Sequence, residues 1–335
     1  MTIRKKKIVV FGATGNIGSY LVDYLYNRFN ENEYKIIAVG RKKTDFFSRY
    51  KSIDYFTVDV SNYDDFCILP YEDIECIIFL AGILPAYTDN KNPQKYIMVN
   101  TLGGINALEY ARKCNAKKFI YSQSISDLAG YFDKEIELKP YMERKLIFTG
   151  DHSIYSISKS AVVDMMKFYH NEYGLKTFVL RLPNIYMYTR DDIYNVDGIP
   201  RKVGYRLIME KAIKGESIEI WGDPSRVKDI VYVADLCQMI EKIILNNKIS
   251  EATYNVGTGR GITLEDQIRG IIKVFCSEKN ISPIIYKKEK PNAPQYIMNI
   301  DNAKEEIGYF PEFDYEKYLL EFKKEMELNR FKDLR

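Results

Sequence analysis

Short apolar runs alternate with amphipathic stretches through the first half of the chain. Residues 7–11 make an apolar run of strand length, and residues 19–29 then carry apolar positions at helical spacing. The alternation recurs, with strand-like runs at 35–40, 53–58, 74–80, 118–122 and 176–182 and helical patterns at 93–114 and 153–173. Pro93 suits the first turn of one long helix, and Gly174 suits a helix end. Alternation at this spacing predicts an α/β fold built on a doubly wound parallel sheet. Ligands of such sheets sit outside the carboxyl ends of the strands. Gly12, Gly40, Asp59, Gly82, Ser124 and Pro183 are therefore expected on one rim.

After Pro183 the rhythm breaks. Residues 186–201 are loop-like and rich in Tyr, Asp and Asn, and less regular helices and short strands follow. Residues 231–245 and 254–257 read as a return to the sheet. The expected organisation is a sheet domain over 1–182, rejoined by 231–260, with 183–230 and 261–335 forming a smaller interleaved region that caps the rim.

The first turn carries the first chemical signal. Gly12-Ala13-Thr14-Gly15-Asn16-Ile17-Gly18 joins a strand directly to a helix. Missing side chains let a phosphate approach the backbone, and the helix start offers unpaired N–H groups at the positive end of its dipole. Such a glycine spacing is common by itself. Its place at the first strand–helix junction points to a dinucleotide-binding loop over an ordinary turn.

Composition removes other classes. The 49 Lys and Arg nearly balance 46 Asp and Glu, for a formal charge of +3, and they are dispersed, so no nucleic-acid partner is expected. Cys67, Cys76, Cys114, Cys237 and Cys276 include no C-x-x-C pair, and there are 2 histidines, which argues against both a disulfide framework and a metal site. No run resembles a signal peptide or reaches membrane-spanning length, so the expectation is a cytoplasmic protein with no membrane partner.

Tyr155 and Lys159 stand four apart, on one face of the helical stretch 153–173. A phenol with pKa near 10 is a poor acid–base group at neutral pH, and a neighbouring cation draws that pKa down. With 28 tyrosines the spacing recurs, at Tyr87/Lys91, Tyr141/Lys145 and Tyr286/Lys290. The first of these lies in a polar loop, the second leads into the β-prone Leu146-Ile147-Phe148-Thr149, and the third runs into Pro291. Only Tyr155/Lys159 opens a long amphipathic helix that returns to a strand, which favours catalysis over a surface contact. Ser122-Gln123-Ser124-Ile125-Ser126 ends the fifth strand on the same rim, where a hydroxyl can hold a substrate oxygen. By itself it would be an ordinary serine-rich turn.

Together these residues resemble the extended short-chain dehydrogenase/reductase superfamily, in its NAD(P)-dependent epimerase/dehydratase group, which acts mainly on nucleotide sugars. The resemblance spans nearly the whole chain. It implies a Rossmann domain with Ser124, Tyr155 and Lys159 as catalytic triad. Gly12, Thr14, Gly15, Asn16, Ile17 and Gly18 would form the diphosphate loop, Asp59 and Val60 the adenine side, and Leu80, Ala81 and Gly82 a cofactor-lining strand end. Asn100 would support the lysine through water, and Pro183 and Ile185 would sit beside the nicotinamide. Asn184, Ser124, Ser126, Arg226 and Lys228 would face the substrate. A homodimer through 93–114 and 153–173 is also implied.

The departures from the group's pattern carry information. An aspartate for the adenosine ribose is replaced by Gly40, followed by Arg41 and Lys42, which favours NADP(H) over NAD(H). The acidic pair that dehydratases carry after the catalytic hydroxyl is Ile125-Ser126 here, so water elimination is not expected. The usual Gly-Pro after Tyr186 is Met187-Tyr188, and the usual phosphate-binding arginine is Lys228. The resulting expectation is an epimerase or keto-sugar reductase acting on a nucleotide sugar. The alternatives are reduction of a small non-nucleotide carbonyl compound and a non-catalytic NADP(H) sensor or scaffold.

Overall fold

The opening apolar run forms β1 (Lys6–Phe11), and α1 (Asn16–Arg28) leaves directly from the glycine turn. The protein was analysed as a computed structural model, which describes residues 4–85, 92–134, 136–150, 152–189, 191–196 and 199–334. The Tyr87/Lys91 pair lies outside the described residues. β2 (Tyr34–Gly40), β3 (Ile53–Thr57) and β4 (Ile74–Phe79) follow. α2 (Pro93–Tyr96) runs through a π-helical segment, Ile97–Leu102, into α3 (Gly103–Lys113). Next come β5 (Lys118–Ser124), β6 (Glu137–Leu138), α4 (Ser153–Tyr173) and β7 (Lys176–Leu182).

Beyond Pro183 the elements shorten: β8 (Ile185–Tyr186), β9 (Ile193–Val196), β10 (Ile199–Lys202), α5 (Gly204–Lys214), β11 (Ile218–Trp221), β12 (Val227–Asp229) and β13 (Val231–Tyr232). α6 (Val233–Leu245) and β14 (Glu251–Asn255) return to the sheet domain. β15 (Gly261–Thr263), α7 (Leu264–Phe275), β16 (Ile284–Lys287), β17 (Ile297–Met298), α8 (Asp301–Ile307) and α9 (Tyr315–Leu328) complete the order.

Seven parallel strands pair in the order β14-β7-β5-β4-β1-β2-β3. Side chains alternate across the sheet, so both faces are buried. Val9, Phe11, Ile77 and Phe79 join one core with α3 and α4, while Ile8, Val10, Ile78 and Ile120 join the other with α1 and α6. The order reverses between β1 and β4, and this switch point opens the crevice that holds the site.

Three expectations from the pattern change. The stretch 93–114 is not a uniform α-helix, because Ile97–Leu102 adopts π geometry. The stretch 231–245 is not a sheet strand. Val231 and Tyr232 pair with Ile185 and Tyr186 off the main sheet, and the rest is a helix against α1, its apolar residues recurring at helical spacing. The sheet is rejoined at Glu251–Asn255 rather than 254–257. The β-prone run after Tyr141/Lys145 forms no strand; Phe148 is 73% exposed and Tyr141 77%.

Candidate active site

The glycine loop is shaped by close packing. Gly12 has φ +82°, and a Cβ there would stand 2.8 Å from the Ala81 nitrogen, so β1 and β4 could not converge around a larger residue. A Cβ on Gly18 would lie 2.1 Å from the Gly12 carbonyl oxygen, which forces α1 to sit against the turn. Gly15 has no such reason: its Cβ would meet only the Gly12 oxygen, at 3.1 Å. It caps α1 without any side-chain hydrogen bond, and the first turn carries no acidic residue. The first helical bond runs from Ser19 N to Gly15 O, 3.0 Å. The N–H groups of Asn16, Ile17 and Gly18 are thus left for a ligand.

This loop opens one large cavity of 1610 Å³. Its walls include Thr14 to Gly18, Arg41, Lys42, Asp59, Val60, Leu80, Ala81 and Gly82 at one end. Ser124, Ser126, Tyr155 and Lys159 lie along the middle with Pro183, Asn184 and Ile185, and Arg226 and Lys228 stand on the capping side. Among the predicted site residues, only Asn100 lies behind the wall rather than in it. The volume exceeds the roughly 300–1,000 Å³ typical of a pocket for a single drug-sized ligand.

Asp59 closes the far end. Its Oδ1 accepts from Ser61 N (3.0 Å) and Ser61 Oγ (2.6 Å). Those bonds, with the charge of Arg41 nearby, hold its carboxyl below the usual range. Gly40 has a packing reason of its own, since a Cβ would meet Tyr55 Oη at 2.6 Å and Thr14 at 2.9 Å.

Asn100 is 1% exposed in the π segment. Its Oδ1 accepts from Ile83 N at 2.8 Å, and its Nδ2 lies 3.1 Å from both Ile83 O and Ser158 Oγ. It pins the loop after β4 to α4, next to Lys159, by direct bonds. The π register is what turns its side chain inward.

At the centre, Ser124, Ser126 and Ser156 form a hydroxyl chain with spacings of 2.8 and 2.7 Å. Ser124 Oγ also accepts from Ser126 N at 3.2 Å. Burial pushes the Tyr155 phenol up to about 12, and a hydrogen bond from Ser124 works against that rise. Lys159 is 3% exposed, with its ammonium 3.3 Å from Ser122 Oγ and 4.2 Å from the centre of the Tyr121 ring. Burial draws its pKa down to about 7. For the phenol, burial is the largest influence and Ser124 opposes it; for the ammonium, burial alone sets the direction.

On the capping side, Asp229 is fully buried and anchors its strand. It accepts from Thr258 N and Oγ1 (2.9 and 2.6 Å), Gly259 N (3.0 Å) and Met298 N (3.1 Å). Arg226 pairs with Asp133 and donates to Ala293 O at 2.5 Å. Lys228 rests 5.6 Å from the Tyr296 ring centre, and burial lowers its pKa. The pattern did not single out Phe132, His152, Tyr205 or Tyr315, which also line the cavity. Tyr205 and Tyr315 come from the irregular second half, where periodicity says nothing of which face meets the cleft. His152 carried one signal, its place three residues before Tyr155.

Among the described residues no helix is long and apolar enough to cross a membrane, and no cluster of three or more His, Cys, Asp or Glu could hold a metal. Residues 8–257 match the NAD dependent epimerase/dehydratase family. The chain belongs to this family, an enzyme family of the extended short-chain dehydrogenase/reductase type. It is 28% identical over 309 residues to a putative UDP-glucose 4-epimerase of Methanocaldococcus jannaschii, covering 92% of this chain and 94% of that one. The UDP-glucose 4-epimerase of Thermotoga maritima, solved with UDP-glucose, superposes with a TM-score of 0.73 at 25% identity, over 96% of this chain and 99% of that one. The fold is also that of dTDP-glucose 4,6-dehydratase from Bacillus anthracis, solved with NAD, with a TM-score of 0.74 at 20% identity over 98% and 100% of the two chains.

Proposed function

We propose that this enzyme is an epimerase, or a keto-sugar reductase, of a nucleotide sugar. One observation carries the reading: a single cavity runs from the glycine loop to the capping residues, with Ser124, Tyr155 and Lys159 midway. The cradle fits a nicotinamide dinucleotide, since Gly12, Gly15 and Gly18 put no side chain into it and the Asn16, Ile17 and Gly18 N–H groups precede the first helical hydrogen bond. Gly12 to Gly18 would hold the diphosphate, and Asp59 and Val60 the adenine end. Pro183 and Ile185 would flank the nicotinamide. When bound, the cofactor accepts and returns a hydride.

The chain's own groups do the rest. Tyr155 moves a proton to or from a ring hydroxyl, and Ser124 holds that oxygen beside it. Lys159 holds the nicotinamide ribose and supplies positive charge near the phenol. Asn184, Ser126, Arg226 and Lys228 line the substrate's side. The lack of an acidic pair after Ser124 argues against dehydration. Residues 1–182 with 231–260 serve as the dinucleotide domain, and 183–230 with 261–335 as the substrate region. We also infer a cytoplasmic homodimer meeting at α3 and α4, where Phe168 and Tyr173 are each 48% exposed.

Cofactor choice is where this chain would depart from the NAD-bound relative. Arg41 and Lys42 line the adenosine end and no carboxylate stands at position 40, which suits NADP(H). Titration by cofactor fluorescence tests this. Arg41→Ala should weaken NADPH binding by one to two decades, since a charge-assisted contact is worth about 1.5–3 kcal/mol, and leave NADH nearly unchanged. Tighter NADH binding by the parent would show that Gly40 serves packing alone. Incubation with either cofactor and a panel of UDP- and dTDP-sugars, read by chromatography, tests the activity. Turnover of small carbonyl compounds alone, or cofactor binding with no turnover, would replace the reading with one of its two alternatives.

A further inference from the structure

The segment that follows α9 crosses from the capping region to the cofactor loop. Asn329 ends the helix at φ +43°, which turns the chain sharply toward α1. Arg330 then bridges the two lobes. Its guanidinium donates to Glu325 on α9 (2.9 and 2.6 Å) and to Asp23 on α1 (2.6 Å). Glu325 is 5% exposed, so this bridge is shielded from solvent on one side. Phe331 packs 4.7 Å from the ring of Tyr20 on α1 and 6.0 Å from Phe46, which follows β2. Leu334 is 8% exposed. Asp333 and Leu334 share the main cavity wall with the glycine loop, and Leu334, Phe331 and Arg330 enclose a small hollow with Thr14 and Asn16. In that hollow the Asn16 Oδ1 is buried with no hydrogen-bond donor.

Resting on the dinucleotide reading above, we propose that residues 329–334 form the outer wall of the diphosphate site and act as a strap that retains the cofactor. The geometry has two consequences. Asp333 and Leu334, which share the cavity wall, are held in place by the contacts of Arg330 and Phe331 with α1, so loosening those contacts would open the route by which a dinucleotide at Gly12 to Gly18 leaves. The strap also continues a helix whose Tyr315 and Tyr318 line the substrate end of the same cavity, so occupancy there steadies the strap. Retention suits an epimerase, in which one cofactor oxidises and reduces the same sugar without leaving.

Stopped-flow fluorescence of NADPH and NADH, displaced by excess oxidised cofactor, measures the test quantity in the full chain, Arg330→Gln and Phe331→Ala. Dissociation should quicken about tenfold in each variant, a change of about 1.4 kcal/mol. Adding UDP should slow it in the parent and not in the variants. Dissociation within twofold of the parent in both variants would overturn the strap. Circular dichroism melts identify a variant that fails to fold; a chain stopped after Leu328 then supplies the same comparison. If the parent bound neither cofactor saturably, the dinucleotide reading itself would fail, which is a distinct result.

Discussion

At the scale of single residues, environment separates Tyr155 from its competitors. Tyr141 has the same spacing to a lysine, yet it is 77% exposed in a segment with no helix, whereas Tyr155 lines the cavity together with Ser124. Tyr155→Phe should lose turnover by about 10²–10⁴ while binding cofactor normally, and Tyr141→Phe should change neither. Steady-state assays with a nucleotide sugar decide this, and equal rates for Tyr155→Phe and the parent would remove the phenol from the mechanism. Lys159 offers a thermodynamic test. Its folded pKa of about 7 lies below the ordinary 10.5, so between those values the unfolded chain binds the extra proton. Stability therefore rises with pH across that window, and the full cost of burying the ammonium is felt below it. Lys159→Met should raise the melting temperature, by more at about pH 6 than at about pH 9.5, while abolishing activity. An equal shift at both would mean the ammonium is not desolvated.

At the scale of elements, the turn into α1 sets two opposing effects against each other. Helix propensity alone makes Gly18→Ala stabilising by about 0.8–1 kcal/mol. The new Cβ, 2.1 Å from a backbone oxygen that cannot rotate away, costs about 1–3 kcal/mol or more. Sterics should win, and urea unfolding should show net destabilisation together with lost cofactor binding. Gly15→Ala is the contrast, because its Cβ meets only one atom at 3.1 Å. It should fold normally and bind cofactor weakly; normal binding would mean that the diphosphate does not approach Gly15. The π segment belongs to this scale too. Nothing in Ile97-Met98-Val99-Asn100-Thr101-Leu102 marks it, and within it Asn100 bonds to Ile83 and Ser158, residues distant in the chain.

At the scale of the molecule, residues from before and after Pro183 line one cavity, and the environments of Arg226 and Lys228 in its wall differ. Arg226 is paired with Asp133, while Lys228 has the Tyr296 ring as its neighbour and, among the described residues, no carboxylate in an ion pair with it. The larger share of any diphosphate contact should fall to Lys228. Lys228→Ala should raise KM for a nucleotide sugar about tenfold, Arg226→Ala by less, and neither should move cofactor affinity. Sugars lacking the diphosphate should be poor substrates for all three proteins. Unchanged KM in the double variant would reopen the substrate class.

The strand–turn–helix start and the parallel sheet were legible from the amino acids because each rests on local order, and the same order marked out Tyr155 and Lys159 as candidates. Periods of two and of 3.6 report burial directly, and Gly12, Tyr155 and Lys159 lie at fixed places within those periods. Tertiary structure alone decided what depends on contacts between distant segments. It laid 233–245 as a helix against α1, paired Arg226 with Asp133, and set Asn100 into a π turn. It also drew the Lys159 pKa down, because desolvation is a property of everything packed around a group and not of its neighbours in the chain.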